Sequence, residues 1–315
     1  MALRCFQKDE ISNCDGYMST PSQPFKPVGL VAKVSQPKAI SLAADVIAWL
    51  EQRSEPYVLS PDLSLALQIQ GQTVPLEEMP SRARVVVVLG GDGTLISACR
   101  HPSANPPIIV GVNLGTLGFL TEIASDELFD ILDSAISGQV PIEERPLLET
   151  KAYSGSECQF SSTAINDIVV TKSAMARIFG VEVWVDGHFA VLVRGDGVIV
   201  STPGGSTAYS LSAGGSIVHP QVDALLVTPI CPHSLSNRPL VLAGNSEIAL
   251  RVLPSDDQNQ GEIFLTIDGQ EGFAMGEGGE VRVKTSEHVV RFARSPKRNY
   301  FSVLATKLKW GMPSS

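Results

Sequence analysis

No stretch of the sequence approaches the ~20 consecutive apolar residues that a membrane-spanning helix needs. There is no C-x-x-C pair. Cys5, Cys14, Cys99, Cys158 and Cys231 lie far apart, which speaks against a zinc ribbon or a redox dithiol. Their odd number and wide spacing fit a reducing compartment. His101, His188, His219, His233 and His288 show no metal-ligand spacing, so no metal held by the protein alone is expected. Charged residues are scarce, at 18% against ~25% on average, and this excludes a disordered acidic chain. Basic residues are scarcer still, and the net charge is −9. Neither nucleic acid nor an anionic membrane surface is expected as a partner. The polar N-terminus lacks the apolar stretch of a signal peptide, so the expectation is a soluble cytoplasmic protein. Two phosphate-binding signatures are missing as well. No G-x-x-x-x-G-K-[ST] occurs, and no G-x-G-x-x-G follows the first glycine-rich turn.

What is present is core-forming material. The chain has 315 residues, 43% of them apolar. At ~100–200 residues per domain this length fits two domains. Residues 1–27 lack periodicity and read as a flexible arm. The spacing then predicts a strand at 29–34, a helix at 38–52 and a short strand at 65–69. It continues with a strand at 85–89, a helix start at 94–100 and a strand at 108–112. A helix follows at 125–137, with Ser125 as N-cap and Gly138 as C-cap. Over 28–141 this alternation marks an α/β domain with a parallel sheet. The texture changes near Pro141. Strands are predicted at 147–153, 164–171, 181–186, 189–193, 197–201, 246–253, 262–267, 281–285 and 288–293, with a hairpin at Asp186-Gly187. One helix is predicted at 207–214. The fold class is therefore an α/β N-terminal domain with a parallel sheet, then a mainly antiparallel β C-terminal domain over 142–294. A tail at 295–315 returns to helical spacing, with Tyr300, Val303, Leu304 and Leu308 on one face.

Three glycine-rich turns carry the chemistry. Gly90-Gly91-Asp92-Gly93-Thr94 follows a buried strand and opens a helix, which aims backbone N–H groups at an anion. Its glycines admit close approach to phosphate and positive φ. Asp92 would repel a phosphate, so its better roles are general base or magnesium ligand through water. The plainer reading is a tight turn with Asp92 as N-cap. The stretch 113–120 follows the next strand, and in an open α/β sheet such neighbouring loops share one crevice. The third turn, within 195–215, crowds Ser, Thr and Gly at a helix start and places Tyr209 to stack or hydrogen-bond. Asn166-Asp167 interrupts an apolar strand, as a bulge or as a binding pair. Asp268-Gly269-Gln270 reads as a hairpin turn.

Together these motifs resemble the NAD kinase family, of the bacterial or cyanobacterial type, over residues 28–311. The marks are G-G-D-G-T at 90–94, N-L-G-T-L-G-F-L-T at 113–121 and I-N-D at 165–167. Two more are D-G-V-I-V-S-T-P-x-G-S-T-A-Y-S-L-S-A-G-G at 196–215 and T-P-I-C-P-H-S-L-S-N-R-P-L at 228–240. The resemblance implies an NAD kinase/diacylglycerol kinase-like fold and phosphoryl transfer from ATP to the 2′-hydroxyl of NAD⁺. It also implies Mg²⁺ arriving with ATP, NAD binding in the β-rich domain, a tail helix returning to the first domain, and a homodimer or homotetramer. It makes Asp92 the proton acceptor. Gly90, Gly91, Gly93 and Thr94 become the phosphate-donor loop. The dinucleotide is implied to touch Asp92, Gly93, Asn166, Asp167, Arg177, Arg194 and Asp196, then Thr207, Ala208, Tyr209, Ser210, Leu211, Ser212 and Gln270. Two positions depart from the family pattern. Asp167 stands where Glu is usual, and Gly204 where Thr or Ser is common. Lipid kinases of the diacylglycerol or sphingosine class share G-G-D-G-T and form one alternative. A non-catalytic dinucleotide-binding module forms another. The polar third turn favours a nucleotide over an acyl chain, and Asp92 favours catalysis over plain binding.

Overall fold

A computed structural model describes residues 26–115, 117–172, 179–254, 262–276 and 278–310, so most of the expected N-terminal arm lies outside the described residues. The first half runs β1 (Val28–Ala32), α1 (Pro37–Gln52), β2 (Tyr57–Leu59), α2 (Pro61–Leu67), α3 (Met79–Arg82), β3 (Val85–Gly90), α4 (Asp92–Cys99), β4 (Ile108–Asn113), β5 (Ile123–Ala124) and α5 (Leu128–Ile136). Strands β2, β1, β3 and β4 pair in parallel in that order, and β5 adds to β4. Side chains alternate across a strand. Val85, Val87 and Leu89 join the apolar layer under α1 and α5, while Val86 and Val88 meet Leu95, Ile96 and Cys99 of α4. Burial on both faces is why β3 reads as an unbroken apolar run.

Two local expectations need correction. Residues 65–69 are no strand. Pro61 opens helix α2, Leu63 is buried and Leu67 packs against the same layer four residues on, which is helical spacing. Helix α5 begins three residues after Ser125, with Glu127 at the N-cap position. Ile123 and Ala124 are drawn into β5 beside β4, so the helix starts only after the chain leaves the sheet. Gly138, at φ 72°, ends it in the left-handed region as expected.

The second half runs β6 (Ile142–Ser154), β7 (Glu157–Ala164), β8 (Asp167–Lys172), β9 (Phe179–Val185), β10 (His188–Gly195) and β11 (Gly197–Ser201). A 3-10 turn at Gly204–Thr207 and α6 (Tyr209–Ser212) replace the single helix expected at 207–214. Then come β12 (Ala224–Ile230), β13 (Leu240–Ala243), β14 (Ile248–Val252), β15 (Ile263–Ile267), β16 (Glu271–Met275), β17 (Glu280–Ala293) and α7 (Tyr300–Leu308). The segments 281–285 and 288–293 are one strand, β17, with a register shift between Thr285 and Val289. Asp186 and Gly187 form the expected hairpin turn, both at positive φ.

Strand β17 joins the halves. It pairs antiparallel with β14 and β6, and its Arg291 and Phe292 pair in parallel with Ile108 and Ile109 of β4. One continuous sheet results, in the order β10-β9-β14-β17-β4-β3-β1-β2, with the β6-β7 hairpin branching from β17. A second, wholly antiparallel sheet, β13-β12-β11-β8-β15-β16, packs on it through Ile168, Val170, Val198, Leu250, Leu265 and Val283. The tail crosses back over the first half. Arg298 bonds to the carbonyl of Glu122 and to the carboxylate of Glu127, and Lys307 lies over the ring of Phe119. Leu30, fully buried in the middle of β1, measures what the parallel core contributes. Leu30→Ala should cost about 2–5 kcal/mol in urea unfolding, the range for a large side chain truncated in a core.

Candidate active site

Helix α4 starts where β3 ends, and this places Asp92 over the ends of the parallel strands. Its carboxylate does not cap its own helix. Instead it gathers the loop that follows β4. Oδ2 accepts from the Phe119 N–H at 2.9 Å. Oδ1 accepts from the N–H groups of Leu120 and Thr121 at 3.2 and 2.9 Å, and from the Thr121 hydroxyl at 2.9 Å. The two loops therefore meet in one crevice. Gly118 makes this possible, because a Cβ there would overlap both Asp92 Oδ1 and Thr121 Oγ1. Positive φ is not what Gly90, Gly91 and Gly93 supply, since none of them has it. Gly91 faces open space, and Gly93 faces the Gln270 side chain. Beside them opens a cavity of about 590 Å³, lined by Lys33 after β1, Ser60 and Asp62 at the start of α2, and Gly93, Thr94 and Ser97.

The Asn166-Asp167 pair stands at the link between β7 and β8, held by the Asp268 turn whose Gln270 reaches α4. Asn166 does not bulge a strand. Its carbonyl accepts from the Thr202 N–H at 2.9 Å, and its backbone lies so close to Gly205 that a side chain there would collide with it. The Asn166 side chain is half-buried and makes no hydrogen bond to another described residue. The Thr202 hydroxyl ties this region together, donating to the Ile165 carbonyl and accepting from the Gly205 N–H. Asp167 is 4% exposed. Burial first, then the nearby charge of Asp268, pushes its carboxyl up to about 7, against the pull of the Tyr209 N–H. Asp268 is also raised by burial, opposed by the N–H groups of Ile165, Asp167 and Asn166.

The other expected residues divide into three groups. Gln270 reaches over to α4, donating to the Gly93 carbonyl at 2.7 Å and accepting from the Ser97 hydroxyl at 2.8 Å. Tyr209 is exposed, and Thr207, Ala208, Leu211 and Ser212 lie at least partly on the surface beside it. Ser210 is turned inward, fully buried against the Thr228 hydroxyl at 2.8 Å, so its side chain serves packing rather than the surface. Arg194 and Asp196 do not join the Asp92 cluster. They lie beyond Gly197, which is itself about 13 Å along β11 from Ser201. There Asp196 pairs with Lys172 at 3.2 Å. Arg177 lies outside the described residues. Gly204 leaves its missing side chain's space beside the guanidinium of Arg145. Sequence reasoning missed Thr121, Thr202 and the carboxylate of Asp268. Only the polarity of residues near strand ends could have pointed to them.

A second cavity, of about 580 Å³, lies past the C-terminal end of α4. Its Arg100 and Lys151 are already paired with Glu271 and Glu149, so it offers a phosphate little unbalanced charge. Among the described residues no cluster of His, Cys, Asp and Glu could hold a metal ion.

This arrangement matches known proteins along nearly the whole chain. The family model for the ATP-NAD kinase N-terminal domain matches residues 28–140, and that for the ATP-NAD kinase C-terminal domain matches residues 165–295. An NAD kinase of Geobacter metallireducens is 43% identical over 287 residues, covering 91% of this chain and 99% of that protein. The chain belongs to the NAD kinase family. A relative from Geobacter sulfurreducens, also an NAD kinase, is 44% identical over the same share. Among solved structures, a yeast NADH kinase complexed with NADH superposes with a TM-score of 0.85 at 26% identity, covering 93% of this chain and 90% of that one. An NAD kinase from Archaeoglobus fulgidus in complex with ATP shares the fold, with a TM-score of 0.70 at 24% identity and coverage of 89% and 99%. Membership in the NAD kinase family removes the lipid-kinase alternative.

The raised Asp167 carboxyl has a stability signature. The folded chain holds that proton more tightly than the unfolded chain, whose carboxyl titrates near 4. Stability from this group is therefore greatest at low pH and is lost as pH rises through about 7. Asp167→Asn cannot ionise, so it should raise the melting temperature at pH 8 more than at pH 5. An equal shift at both pH values would show that Asp167 does not titrate there.

Proposed function

We propose that the protein transfers the γ-phosphate of ATP to the 2′-hydroxyl of the adenosine ribose of NAD⁺, making NADP⁺. The observation that carries this reading is the Asp92 carboxylate. A carboxylate has about four acceptor positions. Three donors crowd Oδ1 and one reaches Oδ2, so Oδ2 keeps a place for one more hydroxyl. Asp92 opens the helix whose Gly93, Thr94 and Ser97 line the crevice with Lys33. Phosphoryl transfer asks mainly for positioning and charge stabilisation. Asp92 orients the 2′-hydroxyl and takes its proton as the new P–O bond forms and the bond to ADP breaks. The free amide of Asn166 and the Asp167 carboxylate suit adenosine and its ribose. Tyr209, with its surface neighbours, borders that nucleoside. Arg194 and Asp196 are assigned to the nicotinamide half.

The donor phosphates would lie in the 590 Å³ crevice, against Gly93 and Thr94, with the ammonium of Lys33 opposite. Mg²⁺ carried in by ATP fits this donor set. Asp62 lines the crevice with an exposed carboxylate, and Mg²⁺ otherwise keeps waters and phosphate oxygens as ligands. Bound there, the ion would neutralise charge on the transferring group. A cytoplasmic homodimer or homotetramer is inferred from the family resemblance alone.

Steady-state formation of NADP⁺ tests the reading. Asp92→Asn should lower kcat by roughly 10²–10⁴, the range for loss of a general base, with a melting temperature near wild type. Wild-type turnover in that variant would remove Asp92 from the chemistry. Lys33→Ala should raise KM for ATP about tenfold, as expected for one lost charge-assisted contact, and leave KM for NAD⁺ unchanged. A rise in the NAD⁺ value instead would place Lys33 on the acceptor side.

A further inference from the structure

The turn between β15 and β16 does more than reverse the chain. Asp268 and Gly269 have φ of 50° and 65° and are the central residues of a turn that the Gln270 N–H closes onto the Ile267 carbonyl at 2.9 Å, a geometry that Asn-Gly would form equally well. The carboxylate is therefore surplus to the turn, and both its oxygens are engaged elsewhere. Oδ1 accepts from the N–H groups of Asn166 at 2.7 Å and Asp167 at 3.0 Å, and Oδ2 from that of Ile165 at 2.9 Å. Ile165 and Asn166 are the two residues between β7 and β8, so their N–H groups fall outside both strands. A side chain about a hundred residues away in sequence fills the place of a strand partner. The Asp268 N–H closes the contact by donating to the Asp167 carbonyl at 2.9 Å.

The other end of the same turn grips the opposite wall. Gln270 bonds to the Gly93 carbonyl and the Ser97 hydroxyl. The next residue, Glu271, accepts from Arg100 at 3.2 Å and from Ser162 at 2.9 Å. Helix α4 is thus held at its start, middle and end, and Gly93 is the residue after Asp92.

We propose that the Asp268-Gly269-Gln270 turn is a clasp that sets the distance between the two reacting halves of the site. Asp268 is a positioning residue that shapes Asn166-Asp167 to receive the acceptor nucleoside. Gln270 is a positioning residue that holds the start of α4, and with it Asp92, against that nucleoside. Gln270 acts through the Gly93 backbone and not by contact with the dinucleotide. The clasp rests on the kinase reading above, because it positions groups for that reaction.

The two ends of the clasp predict different kinetic faults in the full-length protein assayed with NAD⁺ and ATP-Mg²⁺. Asp268→Asn keeps an acceptor for Asn166 and Asp167 but turns an NH₂ toward the Ile165 N–H. KM for NAD⁺ should rise about tenfold, with KM for ATP unchanged. Among the described residues, the groups that act on Asp167 are Asp268 from this turn and the Tyr209 N–H from α6, while Arg100 at the C-cap of α4 acts on Asp268. Removing the Asp268 charge should therefore move the pH dependence of KM for NAD⁺ to lower pH, a change that a merely structural role would not produce. Gln270→Ala removes an exposed side chain and should lower kcat by about tenfold to a hundredfold through misplacement of Asp92, with little change in KM for NAD⁺. Gln270→Glu cannot donate to the Gly93 carbonyl and should behave like the alanine variant.

A wild-type protein that forms no NADP⁺ overturns the kinase reading itself. With wild-type activity in hand, a folded Asp268→Asn protein with an unaltered KM and pH profile overturns the clasp. Should Asp268→Asn lower the melting temperature so far that it cannot be assayed, Gln270→Ala decides alone. Wild-type kcat in that variant, or a loss confined to KM for NAD⁺, overturns the proposal.

Discussion

The pairing of β17 with β4 is the contact on which the site depends. Arg291 and Phe292 lie beside Ile108 and Ile109, so the parallel sheet of the first half continues into the antiparallel sheet of the second. A strand hydrogen-bonded on both sides cannot slide without breaking both ladders, and a shift of one residue would turn its apolar side chains out of the core. Val281 and Val283 at one end of β17 and Phe292 at the other are each buried in a different apolar layer. The two walls of the crevice are thereby mounted on one rigid frame. The short polar contacts between them, from Gln270 to Gly93 and from Glu271 to Arg100, adjust a geometry that the sheet has already imposed.

Within that frame the site is built from carboxylates answered by backbone N–H groups. Asp92 collects the loop at 119–121, and Asp268 collects 165–167. Each draws an irregular segment into one shape, because an unpaired N–H inside a protein is costly and a carboxylate satisfies several at once. The arrangement also accounts for an acidic chain that handles anionic nucleotides. At the site, Asp92 and Asp268 are turned onto N–H donors, while Gly91 faces open space. Local geometry, and not the net charge of −9, decides what can bind.

Legibility in the sequence followed physical cause. Strands β1, β3 and β4 were readable because burial on both faces demands unbroken apolar runs, and α1 because its buried residues repeat at helical spacing. Strands β7, β13 and β16 left no such trace. They lie at sheet edges with few buried side chains, and β7 reads Glu-Cys-Gln-Phe-Ser-Ser-Thr-Ala. Strand β12 is fully buried, yet its proline at 229 hid it. At the site, Asp92, Asn166 and Asp167 stood out because polar residues interrupt or follow apolar strands. Ser210 stood out equally, though its hydroxyl spends itself on Thr228. Hydroxyls look alike in a sequence whether they face a core or a ligand.

The amino-acid sequence by itself determined the order of layers, the glycine-rich turns, the family and the carboxylate in the first turn. These depend on local spacing and on motifs a few residues long. Tertiary structure alone decided which atoms Asp92 meets, that Asp268 rather than a strand partner holds Asn166-Asp167, and that Gln270 spans the crevice to Gly93. Each of those contacts joins residues between 27 and 177 positions apart. No local pattern encodes such a distance. It is fixed only when the two sheets pack and β17 bonds to both halves, which brings the ends of unrelated strands to the same crevice.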